Sequence, residues 1–321
     1  MNTKVLEVNN INKKFKTVHA VKDVSFSVEQ GEIFAFLGPN GAGKTTTLRI
    51  LMDIIHADSG TVRWHLHNNS ESIPVPSMLG YLPEERGLYL DLPVIKTLVY
   101  LAKIRGMKGS DAKKEAIKWL ERLDIADRAK EKLQALSKGN QQKVQFISSI
   151  LHKPKFAVLD EPFSGFDPVN QELFIDIIQD LKNKGTTILL SAHQMQLVER
   201  VADRIFLINH GREIFYGKLS DIYNLHGNQY TIEITFNKGE ISQIPQKISD
   251  AENIIKESND RLKIIFQKDT SLQKIMTTLS EIDGIMNIKT HNSTLHDIFL
   301  NLVKREKETQ TDLLQSLKQS L

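Results

Sequence analysis

Polar and apolar residues alternate strictly over Val24-Ser-Phe-Ser-Val28, and Val5-Leu-Glu-Val8 has the same strand-like character. The next segment differs. After the Gln30-Gly31 turn, Ile33-Phe-Ala-Phe-Leu37 is apolar without interruption, as expected of a strand buried on both faces. Thr46 to Ile55 is apolar enough to be a packed helix, and Thr61-Val-Arg-Trp64 reads as another strand. These runs predict an antiparallel layer near the start of the chain. Between 92 and 135 the periodicity becomes helical. Pro93 opens a run in which Val94, Leu98, Leu101 and Ala102 share a face, Gly106 closes it, and a charged helix follows over Asp111 to Leu123.

From 144 to 216 strands and helices alternate, which predicts a largely parallel sheet. Phe156-Ala-Val-Leu159, Thr186 to Leu190 and Arg204 to Ile208 are the strands, and Gln171 to Leu181 is an amphipathic helix with Leu173, Phe174, Ile177, Ile178 and Leu181 on one side. Asp221 to Asn228 reads as a linker. Beyond it, Tyr230 to Phe236 alternates cleanly and Leu262 to Phe266 is a second strand. Helices are expected over Ser271 to Ser280 and Thr294 to Val303, with a strand between them. The chain thus divides into residues 1–220, with a helical subdomain at about 90–150, a small α+β domain at 229–303, and a charged tail at 304–321. No internal repeat or low-complexity segment interrupts this plan.

Composition narrows the chemistry. The chain has 321 residues and no cysteine, so disulfides, thiolate metal sites and cysteine nucleophiles are excluded. Its 42 basic and 39 acidic side chains nearly balance, which argues against a dedicated nucleic-acid surface. No stretch is apolar enough for a membrane span, and the first residues lack the apolar core of a signal peptide. The expectation is a soluble chain with no direct membrane insertion; any work at a membrane would need spans from another chain.

The run Gly38-Pro39-Asn40-Gly41-Ala42-Gly43-Lys44-Thr45 fits G-x-x-x-x-G-K-[ST], a loop that wraps nucleotide phosphates. Its glycines allow backbone N–H groups to turn inward, Lys44 reaches the β- and γ-phosphates, and the Thr45 hydroxyl is a ligand for Mg²⁺. Thr46 follows at the helix start. A buried strand before and a helix after give the context the motif needs. Asp160 and Glu161 end the apolar run from Phe156. Asp160 suits Mg²⁺ coordination and Glu161 suits a general base acting on water, although a strand end with two solvated acids is the plainer alternative.

These motifs together resemble the ATP-binding subunit of an ABC transporter over residues 4 to about 220. The fold implied is an α/β P-loop NTPase cassette with an antiparallel layer and a helical subdomain, carrying here a small additional α+β domain. Leu136-Ser137-Lys138-Gly139-Asn140-Gln141 stands where that family has its LSGGQ signature, a helix N-terminus that faces the γ-phosphate held by the opposite subunit. Ser137 and Gly139 match; Lys138 and Asn140 depart from it. An N-capped helix of no special role is the alternative. His193 matches the family's switch histidine, or is an incidental strand-end residue. Ser164-Gly-Phe-Asp167 resembles the loop that crosses the dimer interface, a role compatible with helix capping by Asp167. Phe15 stands where the family stacks an aromatic on adenine, though a core phenylalanine is the alternative. Glu84 occupies a position usually held by Gln that contacts Mg²⁺.

The resemblance implies ATP and Mg²⁺ as ligands, hydrolysis by Glu161 and His193, and a dimer, homomeric or paired, that encloses two ATP molecules. It also implies a separate membrane permease as partner, a place at the cytoplasmic face of the membrane, and an exporter of the sodium- or drug-export type. A cytosolic ABC ATPase acting on translation or chromosomes is the other class considered. Those members carry two cassettes on one chain or interrupt the cassette with long coiled coils, and neither pattern is found here. A regulatory module without turnover is disfavoured by the presence of both Glu161 and His193.

Overall fold

The computed structural model describes residues 3–66, 76–85, 87–226, 229–237, 251–258, 260–267, 270–280 and 282–304. The chain forms two compact units, residues 1–218 and 219–321. The expected charged tail at 304–321 lies, after Lys304, outside the described residues.

In the first unit, β1 (Lys4–Lys14), β2 (His19–Glu29) and β4 (Ser59–Trp64) form an antiparallel sheet in the order β2-β1-β4. The alternation expected in β2 is realised, since Val24, Phe26 and Val28 are buried while the intervening serines are not. Packed against it is a six-stranded sheet in the order β5-β6-β7-β3-β8-β9. Its strands are β3 (Ile33–Leu37), β5 (Leu79–Leu82), β6 (Phe156–Asp160), β7 (Thr187–Ala192), β8 (Arg204–Asn209) and β9 (Arg212–Lys218). All pairs are parallel except β8–β9. Every residue of β3, β6 and β7 is buried, which is why their sequences lack alternation. β5 and β9 carry weaker apolar signals and were not foreseen as strands.

The two sheets are joined by aromatics. Phe26 of the antiparallel layer stacks on Phe34 with ring centres 5.3 Å apart, and its ring also meets those of Phe36 at 5.5 Å and Phe206 at 5.4 Å. Each such contact adds roughly 0.5–1.5 kcal/mol beyond the area it buries. The layer is thereby fixed over the strand that feeds the glycine-rich loop.

Helices cover the rest of the sheet. α1 (Lys44–Leu51) ends earlier than its apolar sequence suggests, because Asp53 takes a left-handed backbone (φ 56°) and Ile54 and Ile55 both donate back to the Arg49 carbonyl. α2 (Val94–Ile104) and α3 (Gly109–Arg122) form the expected helical region with α4 (Lys138–Ile150). Val94, Leu98 and Ala102 are buried as the periodicity requires. α5 (Pro168–Asn183) and the short α6 (Met195–Val198) complete this unit.

In the second unit the segment read as a linker is helical: α7 spans Leu219–His226. Its Leu219 and Ile222 lie three residues apart on one face and Ile222 is fully buried, so a polar-looking stretch still presents an apolar stripe. Residues 227 and 228 lie outside the described residues. β10 (Gln229–Phe236), β11 (Ala251–Lys256), β12 (Arg261–Gln267) and β13 (Ile285–Asn292) form an antiparallel sheet in the order β11-β12-β10-β13. Ile232, Ile234, Phe236, Leu262, Ile264 and Phe266 meet Ile275 and Leu279 of α8 (Leu272–Ser280) in one core. A last helix, α9 (295–304), starts with a reciprocal cap: the Asp297 N–H donates to Thr294 Oγ1 (3.2 Å) and the Thr294 N–H to Asp297 Oδ2 (3.1 Å).

Candidate functional site

Parallel pairing aligns the carboxyl ends of the strands, where open α/β sheets gather their ligands. Leu37 of β3 pairs with Ala192 of β7, Ser191 with Asp160 of β6, and Leu159 with Leu82 of β5. The glycine-rich loop, His193, Glu161 and the turn at Pro83–Glu85 therefore leave the sheet along one edge. The strand carrying His193 lies between those carrying Lys44 and Glu161.

The loop itself is shaped by close approach. A Cβ on Gly43 (φ 110°) would sit 2.3 Å from the Ala20 carbonyl oxygen, and one on Gly38 would sit 2.3 Å from that of Ile208. Only glycine fits either place. Gly43 caps α1 without any side-chain bond, so the first turn of the helix is not closed by a side chain of its own. A cavity of about 340 Å³ opens there, lined by Ala20, Asn40, Gly41, Gly43, Lys44, Thr45, Thr46, Glu84 and Glu161.

Lys44 is 6% exposed; its Nζ donates to the carbonyls of Gly38 (2.8 Å) and Pro39 (3.3 Å) and lies 3.4 Å from Glu161 Oε1. The other carboxylate oxygen of Glu161 is 2.8 Å from His193 Nδ1. Glu161 thus joins the loop lysine to the histidine. Its backbone is in the left-handed region (φ 50°), a state that costs a non-glycine residue of order 1–3 kcal/mol and clusters at functional sites. Its N–H donates to Ser191 Oγ (3.0 Å), which in turn donates to Asp160 Oδ1 (2.5 Å). Ser191 was not foreseen as part of the site, although it sits two residues before His193 at the end of a buried strand.

Asp160 is fully buried, and its Oδ2 has no hydrogen-bond partner among the described residues. Burial pushes its carboxyl above the usual range; the Ser191 and Thr45 hydroxyls oppose this, while the charges of Glu84 and Glu161 add to it. Thr45 Oγ1 donates to Glu84 Oε2 at 3.2 Å. An orphaned buried carboxylate oxygen, a hydroxyl and a second carboxylate are hard oxygen donors, the set that Mg²⁺ takes alongside phosphate oxygens and water. Among the described residues no group of three His, Asp or Glu side chains is arranged to hold a metal unaided.

Other expected residues stand apart from this cavity. Phe15 is 47% exposed, which removes the core-residue alternative, and it lies outside the cavity lining. Its N–H donates to the Val18 carbonyl in a tight turn (2.8 Å), and Lys13 Nζ is 5.8 Å from its ring centre. Ser137 is the N-cap of α4, accepting from the Asn140 N–H at 3.3 Å, and it is exposed, as is Lys138; neither Ser137 nor Gly139 lines the Lys44 cavity. Asp167 caps α5 through the Asn170 N–H (2.9 Å). Gln171, missed in the sequence, donates to the Phe166 carbonyl and to Gln194 Oε1, both at 3.3 Å, and so ties the loop before α5 to the histidine segment.

Comparison with known proteins bears on these motifs directly. Residues 21–164 match the ABC transporter family. An uncharacterized ABC transporter ATP-binding protein of Bacillus subtilis, YhaQ, is 37% identical over 93% of this chain and 98% of its own length. The chain belongs to the ABC transporter ATP-binding proteins. The lipopolysaccharide export system ATP-binding protein LptB of Haemophilus influenzae is 31% identical over 68% of this chain and 93% of its own length. Among solved structures, an ATP binding subunit of an ABC transporter superposes with a TM-score of 0.63 at 27% identity, covering 70% of this chain and 93% of that one. This ABC subunit is therefore an ATPase of the P-loop fold, as the opening motifs implied, and it acts in transport. Among its described residues no helix is long and apolar enough to cross a membrane.

Proposed function

We propose that this subunit closes with a second ATP-binding subunit around two ATP molecules and drives a separate membrane permease in the export direction. The observation that carries the reading is the split of the motifs: Lys44, Glu84, Asp160, Glu161 and His193 share one sheet edge, while the Ser137 cap is exposed and lies outside the lining of that cavity. The phosphates of ATP lie in the Gly38–Thr46 loop, where the first-turn N–H groups of α1 and the Lys44 ammonium stabilise their charge. Phe15, exposed on its turn, stacks on the adenine. Ser137 and the Gly139 backbone of the other subunit cover the γ-phosphate. Thr45, Asp160 and Glu84 would hold Mg²⁺, which would supply charge neutralisation at the phosphates.

Glu161 accepts the proton of the attacking water, and His193 holds the carboxylate in place through Nδ1. Lys44 leaves its present carbonyl partners for the phosphates. Catalysis on this arrangement is positioning plus electrostatics. The names of relatives such as the lipopolysaccharide export and Nod factor export ATP-binding proteins support the export direction. The permease supplies the membrane spans, so the subunit works at the cytoplasmic face of the cell membrane. Among the described residues of the 229–303 domain there is no catalytic constellation, and the domain serves dimerisation or regulation. Glu161→Gln tests the reading: ATP binding persists, turnover falls by on the order of 10²–10⁴-fold, and a nucleotide-dependent dimer accumulates in size-exclusion chromatography. Normal turnover by this variant would remove Glu161 from its role.

A further inference from the structure

The turn that presents Glu84 is gripped from an unexpected side. Gln145 of α4 is 3% exposed, and its Nε2 donates both to the Pro83 carbonyl (3.1 Å) and to the Glu85 carbonyl (2.9 Å). The two acceptors flank Glu84 in sequence, so one side-chain amide fixes the backbone on both sides of it. With the amide so placed, its Oε1 is buried and without a partner among the described residues. An orphaned acceptor of this kind is destabilising, a loss that an apolar side chain of the same size would avoid. Stability alone therefore gives a weak account of glutamine at this position.

The rest of the contact is rigid as well. Gly80 of β5 packs so closely on α4 that a Cβ there would lie 2.3 Å from the Ser149 carbonyl oxygen. On the opposite flank, Arg49 of α1 reaches Glu85 Oε1 at 3.2 Å. The Pro83–Glu85 turn is thus held between the helix that begins at the phosphate loop and the helix that begins at Ser137.

We propose that Gln145 is a positioning residue that sets the Glu84 carboxylate against Thr45 and fastens it to α4. Displacement of α4 when its Ser137 end engages the partner's nucleotide then moves the metal-side carboxylate of this subunit's own site. The inference rests on the reading of Thr45, Asp160 and Glu84 as the Mg²⁺ ligands.

The test is an equilibrium titration of Mg²⁺ into the full-length protein loaded with a non-hydrolysable ATP analogue, compared with analogue binding in EDTA. Gln145→Met keeps size and removes both donors. It is expected to weaken Mg²⁺ by about ten-fold, the lower end for loss of a residue that orients a metal ligand, while binding in EDTA is unchanged. Glu84→Gln should weaken Mg²⁺ at least as much, and adding Gln145→Met to it should cost nothing further. An unchanged Mg²⁺ affinity in Gln145→Met, an equal loss in EDTA, or fully additive losses would each overturn the proposal. Gln145→Asn, whose shorter amide cannot span both carbonyls, carries the same readout with a smaller shift if Gln145→Met does not fold. If the unaltered protein binds the analogue no more tightly with Mg²⁺ than without, the metal-site reading itself fails, and that outcome is distinct from failure at Gln145.

Discussion

Two helices of this subunit begin in opposite ways. α1 starts at Gly43, buried against Ala20, with a left-handed backbone and no side-chain cap. α4 starts at Ser137, exposed, with its own hydroxyl closing the first turn. Each end of a helix leaves four backbone groups without intrahelical partners. A helix that caps itself can stand in solvent alone, whereas one that does not keeps those donors for an anion. On the proposed function, the difference separates a helix start built for phosphate in cis from one offered to a second subunit. Ser137 is not among the residues that line the cavity at Lys44.

The comparison can be broken most severely at α1. Lys44→Ala removes charge-assisted bonds worth roughly 1.5–3 kcal/mol each, so nucleotide affinity measured by fluorescence titration should fall on the order of 10- to 100-fold. Unchanged binding would contradict the phosphate-loop assignment. Gly43→Ala should act as strongly for a different reason, since its methyl would collide with the Ala20 carbonyl and the φ of 110° is strained for any side chain. Both melting temperature and nucleotide affinity are expected to drop, and a variant that melts and binds like the parent would show that the tight loop is dispensable.

At α4 the effect should be selective. Aspartate caps helices about as well as serine, so Ser137→Asp should leave thermal stability within a few tenths of a kcal/mol. Its charge, however, would face the partner's triphosphate, and ATP-driven dimerisation should be lost. Ser137→Ala should cost about 1 kcal/mol of stability with a milder loss of turnover. If Ser137→Asp dimerises and hydrolyses ATP normally, the outward cap has no role in trans.

The smallest effect concerns the C-terminal side of α4. His152 donates from Nε2 to the Leu79 carbonyl (2.8 Å), and its Nδ1 is buried without a partner among the described residues. Burial holds its pKa below the ordinary 6.5; the Leu79 carbonyl opposes this and the Arg105 charge adds to it. Because the folded pKa lies below the unfolded one, the unfolded chain takes up protons first as pH falls through 6.5. This residue's stabilising contribution is complete above that pH and is lost below it. His152→Gln should flatten the fall in melting temperature between pH 7 and 5.5, and an identical slope in parent and variant would exclude the effect.

Much of this was legible in the chain. Gly38 to Thr45, Asp160-Glu161 and His193 each carry a local pattern tied to a chemistry, and the buried strands announce themselves as unbroken apolar runs. What escaped had no local signal. The edge strands β5 and β9 are short or half-exposed, and α7 looked like a linker because its apolar stripe is only two residues deep. Ser191, Gln145 and Gln171 work through partners 30, 60 and 23 positions away. No window of sequence can show such pairs.

The sequence by itself determined the chemistry: a glycine spacing that allows inward N–H groups, a lysine and threonine at its end, and acids at the close of a buried strand. Those choices depend on backbone freedom and side-chain type, which are local. The tertiary structure decided the geometry. The parallel register brings residues from four strand ends to one edge and bridges Lys44 to His193 through Glu161. Long-range pairing fixes which groups can touch, and no local window of sequence contains that information.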